Sequence, residues 1–165
     1  MSLALAADVP DTHTRVDVAL LPGIWQVAPR QGASAPWPRA SGDLALDAHG
    51  RRWLAGAWLG GQRVPESTTA RLGAQVGVLT VARPHLQHEV AVGVGWHTDV
   101  QRKIGPALST TLRWQPGEAP VQLVVRARAQ ISPVAEPTMA WTEPTLPASA
   151  WAGSGVQVGI GIPLS

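Results

Sequence analysis

A period of two dominates this chain. Eight segments, 14 to 21, 43 to 49, 52 to 60, 70 to 82, 88 to 98, 107 to 115, 121 to 131 and 155 to 162, alternate apolar residues with small or polar ones. That is the repeat of a β-strand, whose successive side chains point to opposite faces. In 88 to 98, His88, Val90, Val92, Val94, Trp96 and Thr98 share one face, and Glu89, Ala91, Gly93, Gly95 and His97 share the other. In the last segment Val156, Val158, Ile160 and Ile162 oppose Gly155, Gln157, Gly159 and Gly161. No stretch carries the 3.6 period of an amphipathic helix, and no apolar run approaches the ~20 residues that a transmembrane helix needs. The reading is all-β, with one domain over 14–165 preceded by a segment 1–13.

Alternation alone fits two opposite objects: a soluble barrel with an apolar inside, and a membrane barrel with an apolar outside. The polar face decides between them. The apolar face carries no Asp, Glu, Lys or Arg, with His88 its one ionisable residue. The other face holds Arg15, Asp17, Asp43, Asp47, Arg52, Arg71, Glu89, Arg113, Arg126 and Arg128, with Gln75, Gln122, Gln130 and Gln157, set among glycines such as Gly56, Gly73, Gly93 and Gly159. Glycine weakens a solvated strand and packs nothing there, but in a narrow barrel it makes room for long side chains crossing the lumen. The signs nearly balance, as buried charges must if they are to stay paired. Lysine, common on solvated strands, occurs once. The expected fold is therefore an eight-stranded antiparallel up-and-down barrel that spans a membrane. The alternative is a soluble calycin-like barrel, periplasmic or secreted, with Val90, Val92, Val94, Val156, Val158 and Ile160 lining a cavity for an apolar small molecule.

The connections alternate in length. Short ones fall at Gly50, at Arg83-Pro84-His85-Leu86-Gln87 and at Pro116-Gly117-Glu118-Ala119-Pro120, all rich in turn formers. Longer ones are read at 22–42, 61–69, 99–106 and 132–154. With both termini on the short-turn side, this is the plan of barrels with short periplasmic turns and long extracellular loops. Tryptophan is the only aromatic side chain. On the outward register Trp53 and Trp114 lie beside short turns and Trp96 near the opposite end of its strand, the spacing of two membrane-interface belts. Trp58 points inward. Trp141 and Trp151 fall in 132–154, whose prolines stiffen an apolar loop suited to contact a protein or a lipid.

Strand count, alternating connections, polar lumen and length together resemble the OmpA/OmpX type of small outer-membrane barrel over about residues 14 to 162. The resemblance implies a bacterial outer-membrane location, the lipid bilayer as partner, and a structural or adhesive role carried by extracellular loops 22–42 and 132–154. The chain departs from that pattern at its end, Ile160-Gly161-Ile162-Pro163-Leu164-Ser165, where such barrels usually finish on an aromatic residue, often Phe. At the other end, Ala4-Leu5-Ala6 has the form of a leader-cleavage site. Segment 1–13 therefore reads as a leader remnant, as residues added at expression, or as an ordinary alanine-rich start.

Little else points to chemistry. With no cysteine there is no disulfide or thiolate site. A net charge of +2 without a basic stripe argues against nucleic acid as a partner. Gly93-Val94-Gly95 and Gly159-Ile160-Gly161 lie within strands and open no helix, so they are not phosphate loops, and no cofactor is expected. His85, His88 and Glu89 lack a further ligand, and no metal site is expected. Some small outer-membrane barrels modify lipids with His and Ser, and His97 and Ser109 are the weak catalytic candidates for such a role here. No His-x-Ser pattern accompanies them. The nine charged residues Arg15, Asp17, Asp43, Asp47, Arg71, Glu89, Arg113, Arg126 and Arg128 are read as a lumen network that either plugs the barrel or lines a narrow ion path.

If the apolar face meets lipid, the purified chain acquires a β-type far-UV circular dichroism spectrum only with detergent micelles, and its unboiled gel band migrates differently from the boiled one. A folded β monomer in plain buffer would invert the inside and outside of this reading.

Overall fold

The computed structural model describes residues 14–27, 38–64, 67–97, 104–132 and 151–164. Eight strands run in chain order: β1 (Arg15–Val27), β2 (Arg39–His49), β3 (Trp53–Val64), β4 (Ser67–Arg83), β5 (Leu86–His97), β6 (Ile104–Trp114), β7 (Gln122–Ser132) and β8 (Trp151–Leu164). Each pairs antiparallel with its neighbours, and β1 pairs with β8 through Val16↔Leu164 to Val27↔Gly153, closing the barrel. Every strand reaches the ~9–11 residues that a tilted membrane crossing requires. Closure leaves no unpaired edge, a condition for β-structure in lipid.

Burial is inverted relative to a water-soluble protein. Asp17, Asp43, Asp47, Glu89, Arg113 and Arg126 are at most 1% exposed, whereas Leu20 and Ile104 are each 64% exposed. Leu44, Leu46, Leu59, Val76, Val92, Val94, Leu108, Val158 and Ile160 join the exposed outer band. Among the described residues the apolar interior is small, with a cluster of Ala19, Leu21, Ala45, Trp58, Ala107 and Val124. An outside of this kind is a liability in water and matched to hydrocarbon.

The strands are longer than the alternation predicts, and the connections correspondingly shorter. β1 runs on through Pro22-Gly23 to Val27, and β2 begins at Arg39, so much of the expected loop 22–42 is sheet. Pro22 is tolerated because it pairs with Gly42 of β2, while the ladder to β8 skips from Leu20↔Ile160 to Gly23↔Gln157. The expected long loop 61–69 is overturned. β3 continues to Val64 and β4 starts at Ser67, with Arg63↔Thr68 and Val64↔Ser67 paired, so this connection matches the tight turns at the other end. β6 begins at Ile104, inside the expected loop 99–106, with Pro106 opposite Val94. Residues 132 and 151–154 of the fourth expected loop belong to β7 and β8. The remainder of these loops, segment 1–13 and Trp141 lie outside the described residues.

One end of the barrel carries the first residues of β1, the last of β8, and the turns at 50–52, 84–85 and 115–121. Gly50 N donates to Trp53 O at 2.9 Å, and Gly117 takes a φ of +58°, a left-handed conformation that glycine adopts without strain. Between Leu79↔Glu89 and Val81↔His88 a β-bulge leaves Thr80 as the extra residue. Thr80 and His88 are thereby joined on the outer face, with His88 Nδ1 2.5 Å from Thr80 Oγ1 and Nε2 2.8 Å from Thr110 Oγ1.

Val92 sits at the middle of β5, opposite Val76 and Leu108, and is 58% exposed. Replacing it by arginine is expected to destabilise the barrel in lipid vesicles by roughly 2–4 kcal/mol in reversible urea unfolding. In detergent-free buffer the same change would improve solubility.

Candidate functional site in the barrel lumen

Alternation brings the charged residues inside, and closure then decides who meets whom. Near the turn end, Asp47 of β2 faces the opposite wall, where its Oδ2 accepts from Nη2 of Arg113 on β6 and Nη2 of Arg126 on β7. Its Oδ1 accepts from Gln75 Nε2 at 3.1 Å. Arg113 Nε also donates to Glu89 Oε1 at 2.7 Å, and Arg126 Nε donates to Thr111 Oγ1 at 3.0 Å. Asp17 Oδ2 accepts from Arg15 Nη2 at 2.7 Å and lies 3.6 Å from Arg113 Nη1. Arg15, partly exposed at the mouth, also reaches Gln87 Oε1 at 2.9 Å.

His49, which the sequence reading did not place in the network, is buried between Asp17 and Glu89, with Nε2 3.3 Å from Asp17 Oδ2 and Nδ1 3.4 Å from Glu89 Oε1. Its parity was visible, since Asp43, Asp47 and His49 are separated by even steps on β2. Arg52 is corrected in the other direction. It stands exposed in the β2–β3 turn, and its backbone carbonyl accepts from Leu79 N at 3.1 Å.

A second cluster lies toward the opposite end. Asp43 Oδ1 accepts from Arg71 Nη2 at 2.6 Å, and Oδ2 accepts from Arg128 Nη1 at 2.9 Å. Each guanidinium lies over an indole: Arg71 is 4.5 Å from the Trp25 ring centroid and Arg128 is 3.7 Å from that of Trp58, within cation–π range. Trp25 was missed because Pro22-Gly23 signals a turn. Close approach explains the glycines beside these groups. A Cβ on Gly73 would overlap the Trp58 ring, and one on Gly56 would overlap the Asp47 carboxylate. The nine charged residues named from the sequence thus divide between two connected groups inside one lumen.

The weak catalytic pair is not brought together. Ser109 pairs with Ala91, six positions along β5 from His97, about 20 Å at ~3.3 Å per residue. Its hydroxyl donates to Gln75 Oε1 at 3.0 Å inside the lumen. The side chain of His97 lies outside the described residues, and its backbone pairs with Arg71. His88 and Glu89 take opposite faces, the first bonded to two threonines outside and the second buried with Arg113. On the exterior, Trp53 and Trp114 are half exposed at the turn end, while Trp96 is partly exposed further along β5. Trp151 opens β8 rather than lying in a loop.

No family model and no curated protein sequence matches the chain. Solved structures do match. A de novo designed transmembrane β-barrel is similar with a TM-score of 0.55 and 14% identity, covering 91% of this chain and 95% of that one. Ail, the attachment invasion locus protein of Yersinia pestis, solved with the heparin analogue sucrose octasulfate, is similar with a TM-score of 0.59 and 12% identity, covering 92% of this chain and 99% of that one.

Asp47→Asn would leave Arg113 and Arg126 without their shared charge, and breaking a buried pair of this kind costs about 3–5 kcal/mol. Urea unfolding in micelles is expected to show that loss. A variant as stable as the parent would mean that water, not Asp47, carries these guanidiniums. An inverted barrel, with lipid-facing aliphatic residues around a salt-bridged lumen, is thus the fold this chain shares with small eight-stranded outer-membrane proteins.

Proposed function

We propose that the chain is a non-enzymatic outer-membrane anchor whose rigid barrel carries surface segments that make adhesive or other surface contacts. The observation that carries this reading is the lumen itself. Asp47 of β2 is bonded to Arg113 of β6 and Arg126 of β7, so side chains bridge the lumen from wall to wall, and an eight-stranded barrel is narrow enough for side chains to fill it. A plugged barrel of this kind is a scaffold rather than a path for solutes. Its working surface is then the end opposite the turns, where residues 28–38 link β1 to β2 and 133–150 link β7 to β8. Segment 133–150 holds Trp141 and a set of prolines, and conserving shape while exposing apolar groups is what such loops offer a partner. Trp53, Trp96 and Trp114 serve as interface anchors, with lipid as the lateral partner. The likeness to Ail, an attachment protein solved with a heparin analogue, supports an adhesive role.

The test is a deletion of 133–150, with a short Gly-Ser linker in its place, in cells that display the chain. Adhesion to matrix-coated surfaces is expected to fall to background while the heat-modifiable barrel band persists. Protease added to intact cells is expected to cut the parent within this segment. Unchanged adhesion, or stepwise ion conductance of the parent in planar bilayers, would sink the scaffold reading.

A further inference from the structure

The two lumen clusters differ in charge. At the turn end Asp17, Asp47 and Glu89 meet Arg113, Arg126 and the partly exposed Arg15, with His49 among them. Polar atoms left without a partner there are of both kinds: the acceptors Asp17 Oδ1 and Glu89 Oε2, and the donors Arg113 Nη1 and Arg126 Nη1. Water, which donates and accepts, satisfies such a set. The second cluster is different. Two guanidiniums, on Arg71 and Arg128, share the single carboxylate of Asp43, and both are at least 96% buried. Their remaining nitrogens, Arg71 Nε and Nη1 and Arg128 Nε and Nη2, have no partner, and all of them are donors. Asp43 and Asp47 stand four residues apart on β2, about 13 Å at ~3.3 Å per residue, and the Asp47 carboxylate is already engaged by Arg113, Arg126 and Gln75.

Two adjacent buried cations held by one anion leave one positive charge uncompensated in a region of low dielectric, at a desolvation cost of several kcal/mol per ion. Orphaned donors together with excess positive charge call for an acceptor that is itself negative. We propose that Arg71 and Arg128 together bind a small monovalent anion, of the size and charge of chloride, beside Asp43 in the lumen. The site is small because its walls are already filled. Cβ positions on Gly60 and Gly73 are occupied by the Asp43 carboxylate and the Trp58 ring, and a Cβ on Gly95 would meet the Gln130 amide. Trp25 and Trp58 stack on the two guanidiniums and hold them in place. The anion completes the neutrality of the lumen, so the barrel's stability is linked to it by mass action.

The experiment is urea unfolding of the barrel in neutral-detergent micelles as sodium chloride replaces sodium gluconate at constant ionic strength. Stability is expected to rise saturably, with the folded-to-unfolded ratio about a hundredfold higher at 100 times the dissociation constant. Arg128→Met removes one of the two guanidiniums and is expected to abolish the chloride response. An equal response in Arg128→Met, or none in the parent, overturns the proposal. If Arg128→Met does not fold, bromide-soaked crystals of the parent decide. An anomalous peak within hydrogen-bond reach of both guanidiniums upholds the site, and a lumen without one overturns it.

Discussion

Asp47 gathers Arg113 and Arg126 from the far wall of the barrel, and much of the structure hangs on that one carboxylate. Buried charges are expensive, and pairing in a dry interior offsets the cost only when partners and geometry are both supplied. Lipid on the outside removes the usual escape of turning a charged side chain to water, so each must find its partner in the lumen. The same demand guards register. Slipping any strand by one residue would move its charges to the lipid face and its aliphatic side chains inward. β2 shows this most sharply, since Asp43, Ala45, Asp47 and His49 all point in while Leu44 and Leu46 point out.

Volume follows from charge. Arginines long enough to cross the barrel need room, and Gly56, Gly60 and Gly73 provide it where Asp47, Asp43 and Trp58 approach the wall. Between the charged groups Leu21, Ala45 and Val124 fill the remaining space, and Trp58 stacks on Arg128. The result is a closed cylinder with its cost concentrated inside.

Departures from the sequence reading share a cause. Pro22-Gly23 has turn chemistry, yet β2 holds that stretch in the sheet. Gly61-Gln62 and Thr68-Thr69 looked like loop, because alternation fades where side chains are small, but Gly61↔Ala70 and Gln62↔Thr69 continue the ladder. Trp25 was lost with the end of β1. Arg52 was taken as inward from parity, and the strand starts one residue later, leaving it in the turn. Each of these lies at a strand end, where local propensity is weak and cross-strand pairing decides.

Residue order was enough to show an all-β barrel with a polar inside, because a strict period of two sorts charges from aliphatics whatever the strands later pair with. It also put nine charged residues on one parity of their strands. Which carboxylate meets which guanidinium was settled by closure, because Asp47 and Arg126 are 79 positions apart and become neighbours only when β8 returns to β1. The pairing of Arg71 and Arg128 on a single Asp43, and the seat of His49 between Asp17 and Glu89, depend on stagger around the barrel, and stagger is a property of the closed sheet rather than of any one strand.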